Sequence, residues 1–374
     1  MEPADRAKSI SKSLLRNFFE QAPPGAVNLG LGEIQFPTPP AICQIAREIL
    51  DSGYVPYTSN AGLPETRKAV AAYYGNIIPA ENTCITVGVE EAIYSTVQTW
   101  INPGDEVLIP DPSFVAYEPV VRLAGAIPVH FNLDPDRDFR IDFDSLTAGI
   151  NADTRMLILS NPSNPLGICL TPEEIDFVAN LCSEHDILLL VDEIYLDLIY
   201  RQPGSSLLGK TDRTVIVSGL SKSHCMTGWR LGWVASTNSS LIKPLIPVHQ
   251  YICTCAPYLA QKAAIFALSP AGRQSVADLR SQLYENADYM RSRLLECKSV
   301  TRILRNDAAP YLFFSTELDD QEICRKILNR GVILIPGSVF GGNGQGWIRL
   351  NYGIDRQLLQ QATEIIIDTL NCKI

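Results

Sequence analysis

Met156–Asp192 reads MLILSNPSNPLGICLTPEEIDFVANLCSEHDILLLVD. Two short apolar runs, Met156–Leu159 and Ile187–Val191, bracket a proline-rich polar turn and a longer polar-apolar stretch. The runs are too short for helices and lack an alternating polar face, which predicts strands buried on both sides of a parallel sheet. Between them, Thr171-Pro172-Glu173-Glu174 places an N-cap residue, a proline at the first helical position and acidic residues in the first turn. Strand, helix and strand in this order make a βαβ unit, so the chain is predicted to be α/β with helices on the sheet's faces.

The pattern repeats on either side. Glu106–Pro110 (EVLIP) runs into Asp111-Pro-Ser-Phe114, and Thr214–Val217 (TVIV) stops at Ser218-Gly-Leu-Ser-Lys222. In open α/β sheets, ligands bind beyond the carboxyl ends of the strands. Asn161, Asn164, Asp192, Ser218 and Lys222 all fall there, which predicts one site along one sheet edge. After about residue 270 the pattern changes. A long helix, roughly Gly272 to Cys297, precedes apolar runs at Tyr311–Ser315, Val332–Ile335 and Trp347–Leu350, the expected strands of a smaller α+β unit. The large unit is expected over residues 45–275. The small one would take residues 276–374 together with residues 1–44, which are rich in Pro and Gly.

Composition narrows the function. Over 374 residues, 46% are hydrophobic and 19% charged, an ordinary globular balance. The net charge of −10 disfavours nucleic acid and anionic membrane as partners. No stretch approaches the roughly 18 apolar residues of a membrane span. Lys8, Lys12 and Arg16 sit among apolar residues in what reads as a short amphipathic helix, not a signal peptide. The ten cysteines form no framework, and Cys253 and Cys255 lack both CxxC spacing and a second pair. Mostly buried thiols in a reducing cytoplasm are expected, with no metal site.

Lys222 and Arg230 lie close together after the last of these strands. A nucleophilic lysine needs partial desolvation and nearby cations to lower its pKa from about 10.4. Arg230 would be such a cation and could bind a phosphate bidentately. On spacing alone, a surface lysine beside a structural arginine is the simpler reading. Asp192 changes this. A carboxylate directly after a five-residue apolar run should be buried, and a buried carboxylate needs a partner. A helix N-cap or buried ion pair would satisfy it. So would a protonated pyridine nitrogen, and Schiff-base lysine with a carboxylate on the ring nitrogen is the pairing of pyridoxal-phosphate sites.

Seven stretches then carry a resemblance: NLGLGEIQFPTP (28–39), YTSNAGLPETR (57–67), TVGVEEA (86–92), NPSNPLG (161–167), VDEIY (191–195), SGLSKSHCMTGWRLG (218–232) and WIRLNYG (347–353). In content and order they resemble the class I/II aminotransferases, fold-type I enzymes dependent on pyridoxal 5'-phosphate. The resemblance implies roles for individual residues. Lys222 would hold the cofactor as a Schiff base and later shuttle a proton. Asp192 would pair with the pyridine nitrogen, Asn164 and Tyr195 would hydrogen-bond the phenolic oxygen, and Phe114 would stack on the ring, though a core aromatic reads equally well. Val89 and Glu90 would offer backbone N–H groups to the phosphate at a helix start after Gly88. Arg230 would bind the same phosphate. Tyr57 would reach it from a neighbouring subunit, which implies a homodimer with shared sites. Arg349, assisted by Asn164 and the backbone at Gly32, would clamp the substrate carboxylate.

Two departures stand out. Many relatives have Ser three residues before the lysine, where this chain has Gly219. Some aspartate-using relatives have Lys where this chain has Glu90, which would repel a distal carboxylate. The expected activity is therefore transfer of an amino group from a neutral or aromatic amino acid to a 2-oxo acid by a ping-pong cycle. A lyase or cyclase on the same scaffold is the alternative, since both reactions begin with the same carbanion. A pyridoxal-binding regulatory protein is remote, because the first motif begins at residue 28 and the charge is acidic.

Overall fold

The fold is taken from a computed structural model that describes residues 2–8, 10, 14–201 and 206–372. Its strands are, in chain order, β1 (Val27–Asn28), β2 (Thr83–Thr86), β3 (Glu106–Asp111), β4 (Ile127–Asp134), β5 (Arg140–Ile141), β6 (Thr154–Ser160) and β7 (Leu188–Asp192). There follow β8 (Thr214–Gly219), β9 (Gly232–Ala235), β10 (Val300–Ile303), β11 (Tyr311–Thr316), β12 (Val332–Ile333), β13 (Ile335–Pro336) and β14 (Trp347–Asn351). The central sheet has the order β2-β9-β8-β7-β6-β3-β4-β5. Pairings from β8 through β4 are parallel, while β9 runs antiparallel to both its neighbours and β5 antiparallel to β4.

The apolar runs do what two-faced burial requires. Along β6, Leu157 and Leu159 join one hydrophobic cluster, while Met156 and Ile158 join another on the opposite face. The same alternation places Leu189, Val191 and Ile216 on the first face and Leu188, Leu190, Val215 and Val217 on the second. Each such side chain contributes about 1.5–3 kcal/mol when fully buried. The helix between β6 and β7, Pro172–Glu184, starts at Thr171 with a complete capping box to Glu174. Glu174 also binds Arg140 and the Ile141 N–H, so one buried carboxylate pins the helix start to β5.

Chain order explains where a crevice must open. From β3 the chain steps outward to β4, then returns to place β6 on the other side of β3. The turns after β3 and β6 therefore diverge at the sheet's carboxyl edge, the switch point where α/β sheets bind ligands.

The smaller unit is built on an antiparallel sheet of order β10-β11-β14-β13. The long helix, Pro270–Leu294, buries Val276, Leu279, Leu283, Ala287, Met290 and Leu294, a stripe at three- and four-residue spacing. Expected as one strand, Val332–Ile335 divides at Leu334. Its first half, β12, pairs in parallel with β1, while β13 pairs antiparallel with β14. An apolar run buried on all sides carries no mark of such a change of partner. The amino-terminal stretch likewise forms two short helices, Asp5–Lys8 and Leu14–Glu20, in place of one, with Lys12 outside the described residues. Of the ten free thiols only Cys84, Cys182, Cys297 and Cys324 are fully buried, fewer than composition suggested. No helix among the described residues is long and apolar enough to cross a membrane.

Candidate active site

A cavity of about 560 Å³ opens at the predicted edge. It is lined by Gly32, Val89, Glu90, Phe114, Asn164, Asp192, Tyr195, Lys222, Arg230 and Arg349 among others. Of the residues given roles by the resemblance, only Tyr57 does not line it, and Tyr57 is 86% exposed. Asn161 and Ser218, predicted at the same edge, do not line it either: both are buried in the fold, where Asn161 Oδ1 accepts from the Leu170 N–H and Ser218 Oγ donates to the Glu193 carbonyl.

Asp192 ends β7, directly opposite Ser160 of β6. Its carboxylate accepts a hydrogen bond from the Ile194 N–H at 3.0 Å and from the Tyr117 hydroxyl at 3.2 Å. Burial pushes its pKa up to about 6, opposed by these donors and by Lys222. No described basic side chain lies at ion-pair distance from it, and Lys222 acts on it only from farther off, so a buried carboxylate faces the cavity without a direct cationic partner. Lys222 lies three residues past β8 and donates from Nζ to the Gly32 carbonyl at 2.6 Å. Desolvation lowers its pKa to about 8. Asp192 and Glu33 oppose that shift, and Arg349 and Arg230 add to it. The amine is thus within reach of its neutral, nucleophilic form near neutral pH.

Arg349 is fully enclosed in β14. Its Nη1 donates to Asn164 Oδ1 at 2.8 Å and its Nη2 to the Gly30 carbonyl at 2.5 Å, while Nε is buried without an acceptor. The guanidinium lies 4.5 Å from the ring centre of Tyr311 and 4.6 Å from that of Phe340. Desolvation lowers its pKa. Tyr195 and Tyr311 share a hydroxyl hydrogen bond of 2.6 Å. Gly32 contributes its carbonyl to Lys222, whereas the carbonyl nearest Arg349 is that of Gly30.

The end of the cavity near Val89 is a turn that only glycine permits. Gly88 has φ 85°, and a Cβ there would come within 2.5 Å of Arg230 Nη2. Gly219 pairs with Gly232 across β8 and β9, and a Cβ on it would meet the Leu231 carbonyl oxygen at 2.7 Å. A serine cannot stand at position 219 without moving backbone. The helix Val89–Trp100 begins here, so its first N–H groups lack partners within the helix, and the exposed Arg230 guanidinium reaches the Val87 carbonyl beside them. Unpaired donors, a cation and a floor without side chains suit an anion such as a phosphate.

Two contributors escaped sequence reasoning. Tyr117 falls three residues after Phe114, and nothing local marks it as the donor to Asp192. Tyr311 reads as one more apolar residue of YLFFS, although it touches both Tyr195 and Arg349.

The family profile for aminotransferase class I and II matches residues 24–366. A probable aspartate aminotransferase of Methanocaldococcus jannaschii is 33% identical over 375 residues, covering 97% of this chain and 98% of that protein. An aromatic-amino-acid aminotransferase 2 of Thermococcus litoralis is 33% identical over 380 residues, with 97% of each chain covered. Among solved structures, an alanine aminotransferase from Pyrococcus furiosus matches with a TM-score of 0.93 and 25% identity, covering 100% of both chains. These relatives do not favour the lyase or cyclase alternative. The site has what pyridoxal phosphate requires: a lysine of lowered pKa, a buried carboxylate without a direct ion-pair partner, and an anion-binding turn lining the same cavity. The chain belongs to the class I and II aminotransferases, and is a transferase that depends on pyridoxal phosphate.

Proposed function

We propose that this aminotransferase takes its amino group from a neutral or aromatic amino acid in preference to aspartate, and passes it to a 2-oxo acid such as 2-oxoglutarate. The observation that carries this reading is the cavity's lining. Besides its charged residues, the cavity is lined by Leu31, Val115, Ala116, Pro119, Val120 and Leu123, an apolar share of its wall, and Glu90 lines it too. An apolar wall rewards an apolar side chain at about 25 cal/mol per Å² buried. A nearby glutamate raises the cost of a second substrate carboxylate. Arg16 also borders the cavity from the amino-terminal helix, so the preference rests on the wall and Glu90 together.

In this reading, Arg349 holds the substrate α-carboxylate, exchanging its present backbone acceptor for the incoming anion while Asn164 keeps the guanidinium in plane. Lys222 would hold the cofactor and, once freed, move the proton from the substrate Cα. Asp192, its carboxylate held by Tyr117, would pair with the ring nitrogen. Tyr195 and Asn164 would hydrogen-bond the phenolic oxygen and Phe114 would pack on the ring. The first N–H groups of Val89 and Glu90, with Arg230, would bind the phosphate. When bound, pyridoxal phosphate supplies the electron sink that makes the substrate Cα acidic.

The same reading makes the enzyme a homodimer. Tyr54, Val55, Tyr57, Tyr251 and Ile252 are all exposed, and Asn60 Nδ2 donates to the Thr254 carbonyl, bringing their two segments together. Such a patch suits a second copy of the chain, from which Tyr57 would reach the neighbouring phosphate.

Steady-state kcat/KM for phenylalanine, tyrosine, alanine and aspartate, all with 2-oxoglutarate, tests the donor. The neutral and aromatic donors are expected to exceed aspartate by about tenfold or more, as expected from about 1.4 kcal/mol of discrimination. A kcat/KM for aspartate above all the others refutes the preference.

A further inference from the structure

Glu91 follows the cavity-lining Glu90 but turns to a different neighbour, the helix Leu245–Cys253. On that helix His249 and Cys253 are four residues apart and share a face. His249 Nδ1 lies 3.1 Å and 3.2 Å from the two Glu91 carboxylate oxygens and 3.5 Å from Cys253 Sγ. One atom of each side chain lies within 4.8 Å of the other two. The His249 side chain is fully buried, and that of Glu91 is 11% exposed.

Hydrogen bonds account for part of this arrangement: the imidazole can share a proton with Glu91, and the Cys253 thiol can donate to the His249 carbonyl at 3.7 Å. The sulfur nevertheless stands 3.5 Å from the same ring nitrogen that faces the carboxylate, so all three ligand-type atoms are gathered around Nδ1. A tetrahedral zinc ion, with bonds of about 2.0–2.3 Å to nitrogen, oxygen and sulfur, sets neighbouring ligand atoms about 3.3–3.7 Å apart. The observed separations from Nδ1 lie within a few tenths of an ångström of that spacing. The carboxylate is already held from behind. The Val87 N–H donates to Glu91 Oε2 at 3.0 Å, and Ser95 Oγ donates to Oε1. Ligands of metal ions are commonly oriented by such outer contacts.

We propose that Glu91, His249 and Cys253 form a binding site for a divalent cation of the zinc class, separate from the cofactor cavity. One carboxylate and one thiolate neutralise the dication, and the imidazole completes a mixed oxygen, nitrogen and sulfur set. Binding displaces the thiol proton of Cys253 and leaves the ring proton of His249 on Nε2, so that Nδ1 is free to ligate. The ion would fasten the end of helix Leu245–Cys253 to the first turn of helix Val89–Trp100. Sequence spacing could not show this site, because Cys253 pairs with a histidine on its own helix and a glutamate far away in the chain, and not with Cys255.

The test uses holoenzyme washed with chelator, loaded with Zn²⁺ in the absence of amino acids, desalted and assayed for bound metal. Loading with Co²⁺ in parallel reports sulfur ligation through its charge-transfer and ligand-field absorption. The wild-type chain should retain about one ion, and Cys253→Ser and His249→Gln should each weaken retention by about tenfold or more. Thiolate-to-cobalt absorption should vanish in Cys253→Ser. The cofactor's own visible band verifies that each variant is folded, and if one fails to fold the other carries the comparison. No retained metal in the wild type overturns the proposal. So does equal retention by Cys253→Ser, which would place the ion elsewhere, for instance at the exposed Cys372.

Discussion

Lys222 and Asp192 shift one another in opposite directions from their ordinary values: the cavity withholds water from both, while each charge favours the other. For Lys222 the loss of water wins, and its pKa falls from 10.5 to about 8. This fixes the pH dependence of cofactor capture. Below the folded value the amine is protonated and unreactive, and above it the amine is neutral. The rate at which cofactor-free chain takes up pyridoxal phosphate should therefore rise with pH, then level off just above pH 8. Stopped-flow absorption across pH 6 to 10.5 measures it, and a rate still climbing steeply beyond pH 9.5 would mean an ordinary, solvated lysine. Asp192 was legible in the sequence because it stands directly after an apolar run that ends at the sheet edge, and Lys222, five residues past Val217, through Asp192 and the SGLSKSHCMTGWRLG stretch that holds it. Tyr117 and Tyr311 were not. Their importance lies in contacts with residues far away in the chain, Asp192 for one and Tyr195 and Arg349 for the other.

Secondary-structure elements decide how near the backbone can come to a ligand. Strands β8 and β9 approach so closely at Gly219 and Gly232 that a side chain at either position would enter the neighbouring backbone. Gly219→Ala adds only a methyl group, yet a carbonyl oxygen stands where it must go. It should destabilise the chain by about 1–3 kcal/mol, typical of overpacking a filled site, and weaken cofactor binding because Val89 packs against the same spot. Thermal denaturation and cofactor titration measure the two effects. A variant with unchanged melting temperature and cofactor affinity would refute this account of why serine is absent. The strands and the capped helix after Thr171 could be read from local chemistry, since periodicity and capping are local signals. The division at Leu334 could not, because all four residues of Val332–Ile335 are buried whichever sheet each half joins.

At the scale of the whole molecule, the structure draws the cavity from two sheets, since Arg349 and Tyr311 come from the small sheet and Lys222 and Asp192 from or just after strands of the large one, where the sequence pointed to a single sheet edge. The sequence is silent on what covers the exposed patch around Tyr57 and Tyr251. If that patch is the subunit interface, light scattering should give twice the chain's 41.2 kDa, and Tyr57→Phe should weaken cofactor affinity without altering the mass. A monomer with full activity would remove Tyr57 from the site. The central claim, that Lys222 and its surroundings make an aminotransferase, is tested most directly by the visible absorption of the holoenzyme. Spectra are recorded alone, after adding a single amino acid, and after adding 2-oxoglutarate, for the wild type and for Lys222→Ala. The account predicts a cofactor band that bleaches with a neutral or aromatic amino acid and returns with the 2-oxo acid, and a Lys222→Ala chain that is folded but shows no such cycle. A Lys222→Ala chain that cycles like the wild type, or a wild-type band that persists while a keto acid and ammonia accumulate, would contradict it.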